Sequence, residues 1–246
     1  MKLTAFLVFV GVVICADPWK APSGNIKEIA SSRQMIATIS EDWNSPKARV
    51  YLFERDSSGW KTLKRMKAVI GKSGMAWGLG LHPPNLVGPQ KKEGDLRTPA
   101  GAFSIGKSYG YKPPTHFRLG IAYEQSAPGL VCVDDPGSRQ YNRIVAQTEL
   151  HDWTSAEDMR RNDDLYELLF VVEHNKAGRF KEKGSCIFFH IWENSRSATA
   201  GCTALSRKNL AFIVNWLDPA SNPLIVQLPK DAYRELEAAW NLPHLP

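Results

Sequence analysis

Three short runs of β-forming residues near the start of the chain, Gln34–Ser40, Ala48–Glu54 and Trp60–Ile70, constrain the fold more than any other feature. Polar turn residues separate them, Asp56-Ser57-Ser58-Gly59 among them, and charged and apolar residues alternate from Thr62 onward. Strands at such short spacing are expected to pair antiparallel. Further β signals lie at Ala102–Ile105, at the strongly apolar Tyr166–Glu173, at Ser185–Ile191 and at Pro223–Leu228. Tyr166–Glu173 is expected to pair with Ser185–Ile191 across the loop 175–184. Helical signals are fewer. A capping box at Thr154–Glu157 predicts a short helix over Ala156–Arg161. Leu205, Leu210, Ile213, Val214 and Leu217 fall at helical spacing behind Ser206, a natural N-cap. Pro229–Trp240 is read as a terminal helix with Tyr233, Leu236 and Trp240 on one face. The chain is therefore expected to be mainly β with a few helices. Between Lys107 and Leu150 turn residues dominate, which predicts irregular loops with short strands and, in a compact domain, often a binding surface.

Met1–Ala16 is read apart from the fold. Lys2, an apolar run from Leu3 to Ile14 and small residues before Asp17-Pro18 make a secretory leader, cleaved after Ala16. The run is shorter than the roughly 20 residues a membrane span needs. Cys15 raises a lipid anchor, which bulky Ile14 disfavours; an uncleaved leader serving as an anchor is the other alternative. The net charge of +6 is mild and spread along the sequence, without the basic run that nucleic-acid binding needs. An anionic polymer is compatible with it. Beyond the leader stand Cys132, Cys186 and Cys202, an odd number. At least one is then unpaired or paired between chains, so the chain is no disulfide scaffold. Cys132 and Cys186 are expected as two buried thiols, a bridge between them being the alternative.

The chemistry concentrates between Ser185 and Leu205. His190 is the one polar residue deep in an apolar strand, and Cys202 lies in the small-residue run Thr199-Ala200-Gly201-Cys202-Thr203. A thiol with an ordinary pKa of about 8.5 is a poor nucleophile at neutral pH until a base takes its proton. An imidazole on an adjoining element can do so. On these residues alone, that pair stands level with a satisfied strand histidine and a small buried cysteine. The glycine-rich GKSGMAWGLG from Gly71 is not a nucleotide loop, because no helix pattern follows and the Lys-Ser pair is misplaced. His82, His116, His151 and His174 have no cysteine or acidic partners at metal-ligand spacing.

These pieces together resemble the L,D-transpeptidase (YkuD-like) catalytic domain, which cross-links or trims bacterial cell wall. The resemblance rests on Gly71-Lys72 and Gly78, the run from Lys92-Glu93-Gly94-Asp95 to Ala102-Phe103, Asp134-Asp135-Pro136, Tyr141-Asn142, Phe189-His190 and Thr199–Leu205. It extends from about Lys67 to Leu228. Many members carry a histidine where this chain has Ala200 and an arginine or asparagine where it has Ala204; a branch with the lysine-glutamate-glycine-aspartate loop looks like this sequence. The resemblance implies a β-sandwich-like single catalytic domain over 34–228, after a linker at 17–33 and before a C-terminal helix at 229–246. It implies Cys202 as nucleophile and His190 as base, with backbone amides at Cys202 and at Gly201 or Thr203 for the oxyanion. Thr199 either bonds near His190 or shapes the turn. Lys92, Arg97 and Asp135 either contact the charged ends of a stem peptide or form structural ion pairs, with Tyr141 and Asn142 as orienting candidates. Trp77 and Trp192 are candidates for the cleft wall or for packing. The substrate implied is the peptidoglycan stem peptide, with no metal, organic cofactor, nucleic acid or obligate protein partner. An L,D-carboxypeptidase resolving the same acyl-enzyme with water, and a non-catalytic wall-binding protein, are the alternatives. The leader implies export to the periplasm or cell envelope.

Overall fold

A computed structural model describes residues 25–84, 86–114 and 120–246. The leader and His116 lie outside the described residues. Among the described residues three α-helices accompany thirteen strands, so the chain is mainly β. Helix α1 (Lys27–Ser31) comes first and buries Ile29, inside the span expected as a linker. Strands β1 (Gln34–Ser40), β2 (Lys47–Asp56) and β3 (Gly59–Val69) form the expected antiparallel meander. β1 is also paired in parallel with β13 (Leu224–Pro229), and is buried along its whole length. A strand with neighbours on both edges and layers on both faces has no solvent side, which explains why its alternation is weak in the sequence.

The expected strand Ala102–Ile105 is part of a much longer one, β5 (Thr98–Gly110). Its first residues lie beside β4 (Met75–Trp77), Gly101–Ser104 pair with β13, and its far half pairs with β10 (Leu168–Val172). By changing partners in mid-course β5 belongs to two layers, the way a sandwich turns a corner. From β10 the second layer continues through β11 (Phe188–Ile191) and β12 (Thr203–Leu205), and β12 meets β3 at Ala204↔Val69. β6 (Tyr123–Gln125) adds to β5. Gly101 is needed at the bend: its φ is +135°, and a Cβ there would lie 2.0 Å from the His82 ring.

Alternation along β11 then sorts the side chains. Phe189 points into the main core, stacked on Phe170 with ring centroids 4.7 Å apart. Phe188 points to the opposite face, into a second cluster with Leu169, Tyr166 and Cys202. A small sheet covers that face, with β7 (Leu130–Val133) between β8 (Ile144–Ala146) and β9 (Ala156–Asp158). Helix α2 (Arg207–Trp216) is capped by Ser206, whose side chain accepts the Asn209 N–H, and it packs against β10 and β11. Helix α3 (Lys230–Trp240) buries Tyr233, Leu236 and Trp240 against β13 and β1.

Three expectations are corrected. The helix over Ala156–Arg161 does not form; β9 stands there, with Cys132↔Glu157 in register. A single helical turn is marginal by itself, and the edge of β7 satisfies the same backbone groups. The strand expected from Ser185 begins only at Phe188, because Cys186 adopts a left-handed φ of +53°. Lastly, Cys132 and Cys186 are not two thiols but a disulfide, with Cα atoms 5.9 Å apart. That separation suits a bridge, and the packing of β7 over β11 creates it. Cys202 is left as the free thiol among the described residues. Replacing both bridged cysteines with serine is expected to cost about 2–4 kcal/mol by freeing a long loop in the unfolded chain. The readout is the urea midpoint, and an unchanged midpoint would show that the bridge adds nothing.

Candidate active site

Cys202 immediately precedes β12, at the end of a tightly held turn. The Thr199 hydroxyl donates to the Cys202 carbonyl at 2.6 Å and accepts the Gly201 N–H at 3.1 Å. Thr98 donates a second hydroxyl to the same carbonyl at 3.2 Å. Gly201 lies close against the neighbouring chain, where a Cβ would come within 3.1 Å of the Arg97 carbonyl oxygen. Of the two roles open to Thr199, the turn is the one its bonds describe. The Gly201 amide is already engaged. The Thr203 side chain faces away, donating to Gln227 Oε1 at 2.6 Å.

The Cys202 sulfur accepts the Phe188 N–H at 3.3 Å, and its own S–H is aimed at the Cys186 carbonyl 3.5 Å away. Burial pushes the thiol well above its ordinary range, and the nearby Glu157 carboxylate adds to this. The resting group is a thiol. His190 occupies the same face of the second layer. Parallel register sets Phe189 opposite Thr203 and His190 opposite Ala204, so His190 lies diagonal to Cys202. Strand spacings put their Cα atoms roughly 8 Å apart, within side-chain reach across a sheet. No hydrogen bond joins them. His190 Nδ1 is 2.8 Å from the Ile191 carbonyl, which can only accept, so Nδ1 carries the proton and Nε2 keeps a free lone pair. Burial lowers the imidazole to about 4, so it is neutral at pH 7.

Two cavities meet at Cys202. The smaller, about 200 Å³, is lined by Cys202, His190, Tyr166, Glu157 and Trp192 among others. The larger, about 630 Å³, runs from Cys202 past Glu157, Asp134 and Lys91 to exposed rim residues Gly94, Leu96 and Asn162. The sulfur, only 8% exposed as a residue, therefore stands in the wall of a cleft open to solvent.

The other expected site residues sit elsewhere. Arg97 is bound by the Trp43 and Met75 carbonyls at 2.9 Å each, and by Asn44. Asp135 accepts from Gly137 N–H and from both the amide and hydroxyl of Thr154. Tyr141 is fully buried and donates to Glu93 at 2.5 Å. Asn142 accepts the Cys186 N–H and donates to the carbonyls of His174 and Asn175, clamping the bridged segment. Lys92 is exposed, whereas its neighbour Lys91 is the buried one, ion-paired with Asp95 at 2.5 Å beside the cleft. None of Lys92, Arg97, Asp135, Tyr141 and Asn142 lines either cavity. Trp192 lines the smaller one; Trp77 is core, packed against Trp43 and Trp240.

Tyr166 and Glu157 were missed. Tyr166 donates to Glu157 Oε1 at 2.6 Å and lays its ring edge-on to His190, with centroids 5.2 Å apart. The capping-box pattern hid Glu157, since a carboxylate at that helix position is expected to serve the backbone. Among the described residues no group of three His, Cys, Asp or Glu side chains could hold a metal ion, and no helix is long and apolar enough to cross a membrane.

A family model described as the L,D-transpeptidase catalytic domain matches residues 42–226, well over half of the chain. No curated protein matches. Among solved structures, that of Bdellovibrio bacteriovorus Bd1075 is similar at 16% identity with a TM-score of 0.38. The match covers 83% of this chain and 50% of that one, so this chain spans about half the length of that relative.

Proposed function

We propose, because the chain belongs to the L,D-transpeptidase catalytic domain family, that it is an exported acyltransferase using Cys202 on peptidoglycan stem peptides. The observation that carries the reading is a free thiol in the wall of an open cleft, with a neutral imidazole presenting a bare Nε2 on the same face. Nε2 takes the thiol proton as the sulfur attacks the carbonyl that follows an L-configured centre in the donor stem. The Cys202 amide binds the oxyanion, because the Gly201 amide is committed to Thr199. His190 then protonates the departing D-amino acid, leaving a thioester on Cys202. An amine of a second stem attacks the thioester, forming the cross-link and returning the sulfur its proton through His190.

Export through the Met1–Ala16 leader belongs to the same reading. The Cys132–Cys186 bridge supports it, since disulfides persist in oxidising compartments. Incubating the purified protein with tetrapeptide muropeptides tests the function. Dimers, with a thioester mass increment on Cys202, are the expected products. Tripeptides alone would assign hydrolysis instead, and neither product would leave a wall-binding protein.

A further inference from the structure

We propose that the Tyr166 hydroxyl is a third working group of this site, a donor that moves from the Glu157 carboxylate to the Cys202 sulfur when the thiol gives its proton to His190. The inference rests on the catalytic reading of Cys202 and His190. It starts from a shortage of donors. A thiolate at this position would lie among Phe188, Leu169, Met159 and the Cys132–Cys186 bridge, an apolar setting that penalises bare charge. The sulfur's hydrogen-bond donor from the backbone is the Phe188 amide. The sulfur's other bond, to the Cys186 carbonyl, is one only a thiol can make and is lost on ionisation.

Tyr166 is placed to supply what is missing. Its ring is fixed edge-on against both Phe188 (5.7 Å, 87°) and His190 (5.2 Å, 70°), and Tyr166 lines the small cavity shared by base and nucleophile. In the resting site that hydroxyl donates to Glu157. Of the groups around the sulfur, the Glu157 carboxylate raises the thiol's pKa, whereas the Tyr166 hydroxyl is near enough to lower it. Turning the O–H from carboxylate to sulfur moves no proton between residues. The thiol proton ends on His190 Nε2, the thiolate gains one donor, and Glu157 keeps Arg161 Nη1 at 4.0 Å.

The test reads the thiol without any cell-wall substrate. Iodoacetamide alkylation of Cys202 in the intact chain is followed by mass from pH 5 to 10, on the rising limb of the profile, because burial holds the thiol above its ordinary range. Tyr166→Phe keeps the ring and removes the hydroxyl; it is expected to move that limb up by about one pH unit, slowing alkylation about tenfold at pH 7. Glu157→Gln removes the like charge and is expected to move the limb down. Other ionisable groups of the cleft around the sulfur, Lys91, Asp134, Arg161, Asp163 and the neutral His190 among them, are the same in each variant. A Tyr166→Phe profile superimposable on the wild type, or shifted down, overturns the proposal. If Tyr166→Phe does not fold, an unmoved limb in Glu157→Gln overturns it. Should both shifts appear while muropeptides stay unconverted, the hydroxyl's role stands and the transferase reading fails.

Discussion

Replacing Cys202 with alanine is expected to abolish muropeptide conversion and the acyl-enzyme, with a rate loss of at least about 10³-fold, and to leave the protein folded. The fold prediction follows from what the thiol does: its bonds to Phe188 N–H and the Cys186 carbonyl are weak sulfur contacts, and the turn around it is held by Thr199 and Thr98 through the backbone carbonyl. Removing a sulfur from this cluster costs about 1 kcal/mol or less by hydrogen bonding. The rate prediction follows from chemistry, since among the described residues no other thiol or hydroxyl lines both cavities. His190→Gln should cost about 10²–10⁴-fold, the usual worth of a positioned base. Full activity in Cys202→Ala, measured by chromatography of muropeptides, would end the proposed mechanism.

Acid should destabilise this protein in a window set by its buried histidines. Burial lowers His82 and His190 to about 4 and His174 to about 3. His82 and His174 are core residues: Nδ1 of His82 accepts the Ala102 N–H at 3.1 Å, and Nδ1 of His174 accepts the Leu79 N–H at 3.1 Å. In the unfolded chain each histidine binds a proton near its ordinary pKa of about 6.5. Between that pH and the folded values, the unfolded state therefore holds more protons. Stability is full above about pH 6.5 and falls as pH drops toward 4, by roughly 3 kcal/mol for His82 or His190 alone and more for His174. Together these exceed a fair part of a typical domain's stability of about 5–15 kcal/mol, so unfolding near pH 5 to 4 is expected. Urea midpoints that stay level from pH 7 to 5 would refute it.

Much of the site was legible in the chain because its signals are local. Cys202 in a small-residue run, a histidine alone in an apolar strand and Ser206 before a periodic helix each carry their own physics over a few residues. So do the meander of β1 to β3 and the pairing of β10 with β11. What stayed hidden depends on neighbours distant in sequence. The capping box at Thr154–Glu157 was a sound local signal, yet Glu157 pairs with Cys132 because β7 offers an edge there. For Arg97 and Asp135 the sequence left substrate contact and structural pairing both open, with Tyr141 and Asn142 as orienting candidates, and packing gave each carbonyls, amides or carboxylates of its own to bind.

The sequence by itself determined a mainly β chain, a thiol and an imidazole, because hydrophobic period and residue chemistry are written along the backbone. Only the tertiary structure decided that Cys132 would meet Cys186, that Tyr166 and Glu157 would attend the sulfur, and that Lys91 rather than Lys92 would be buried. Those outcomes depend on which face of one layer lies under another, and a one-residue change of register would reverse them.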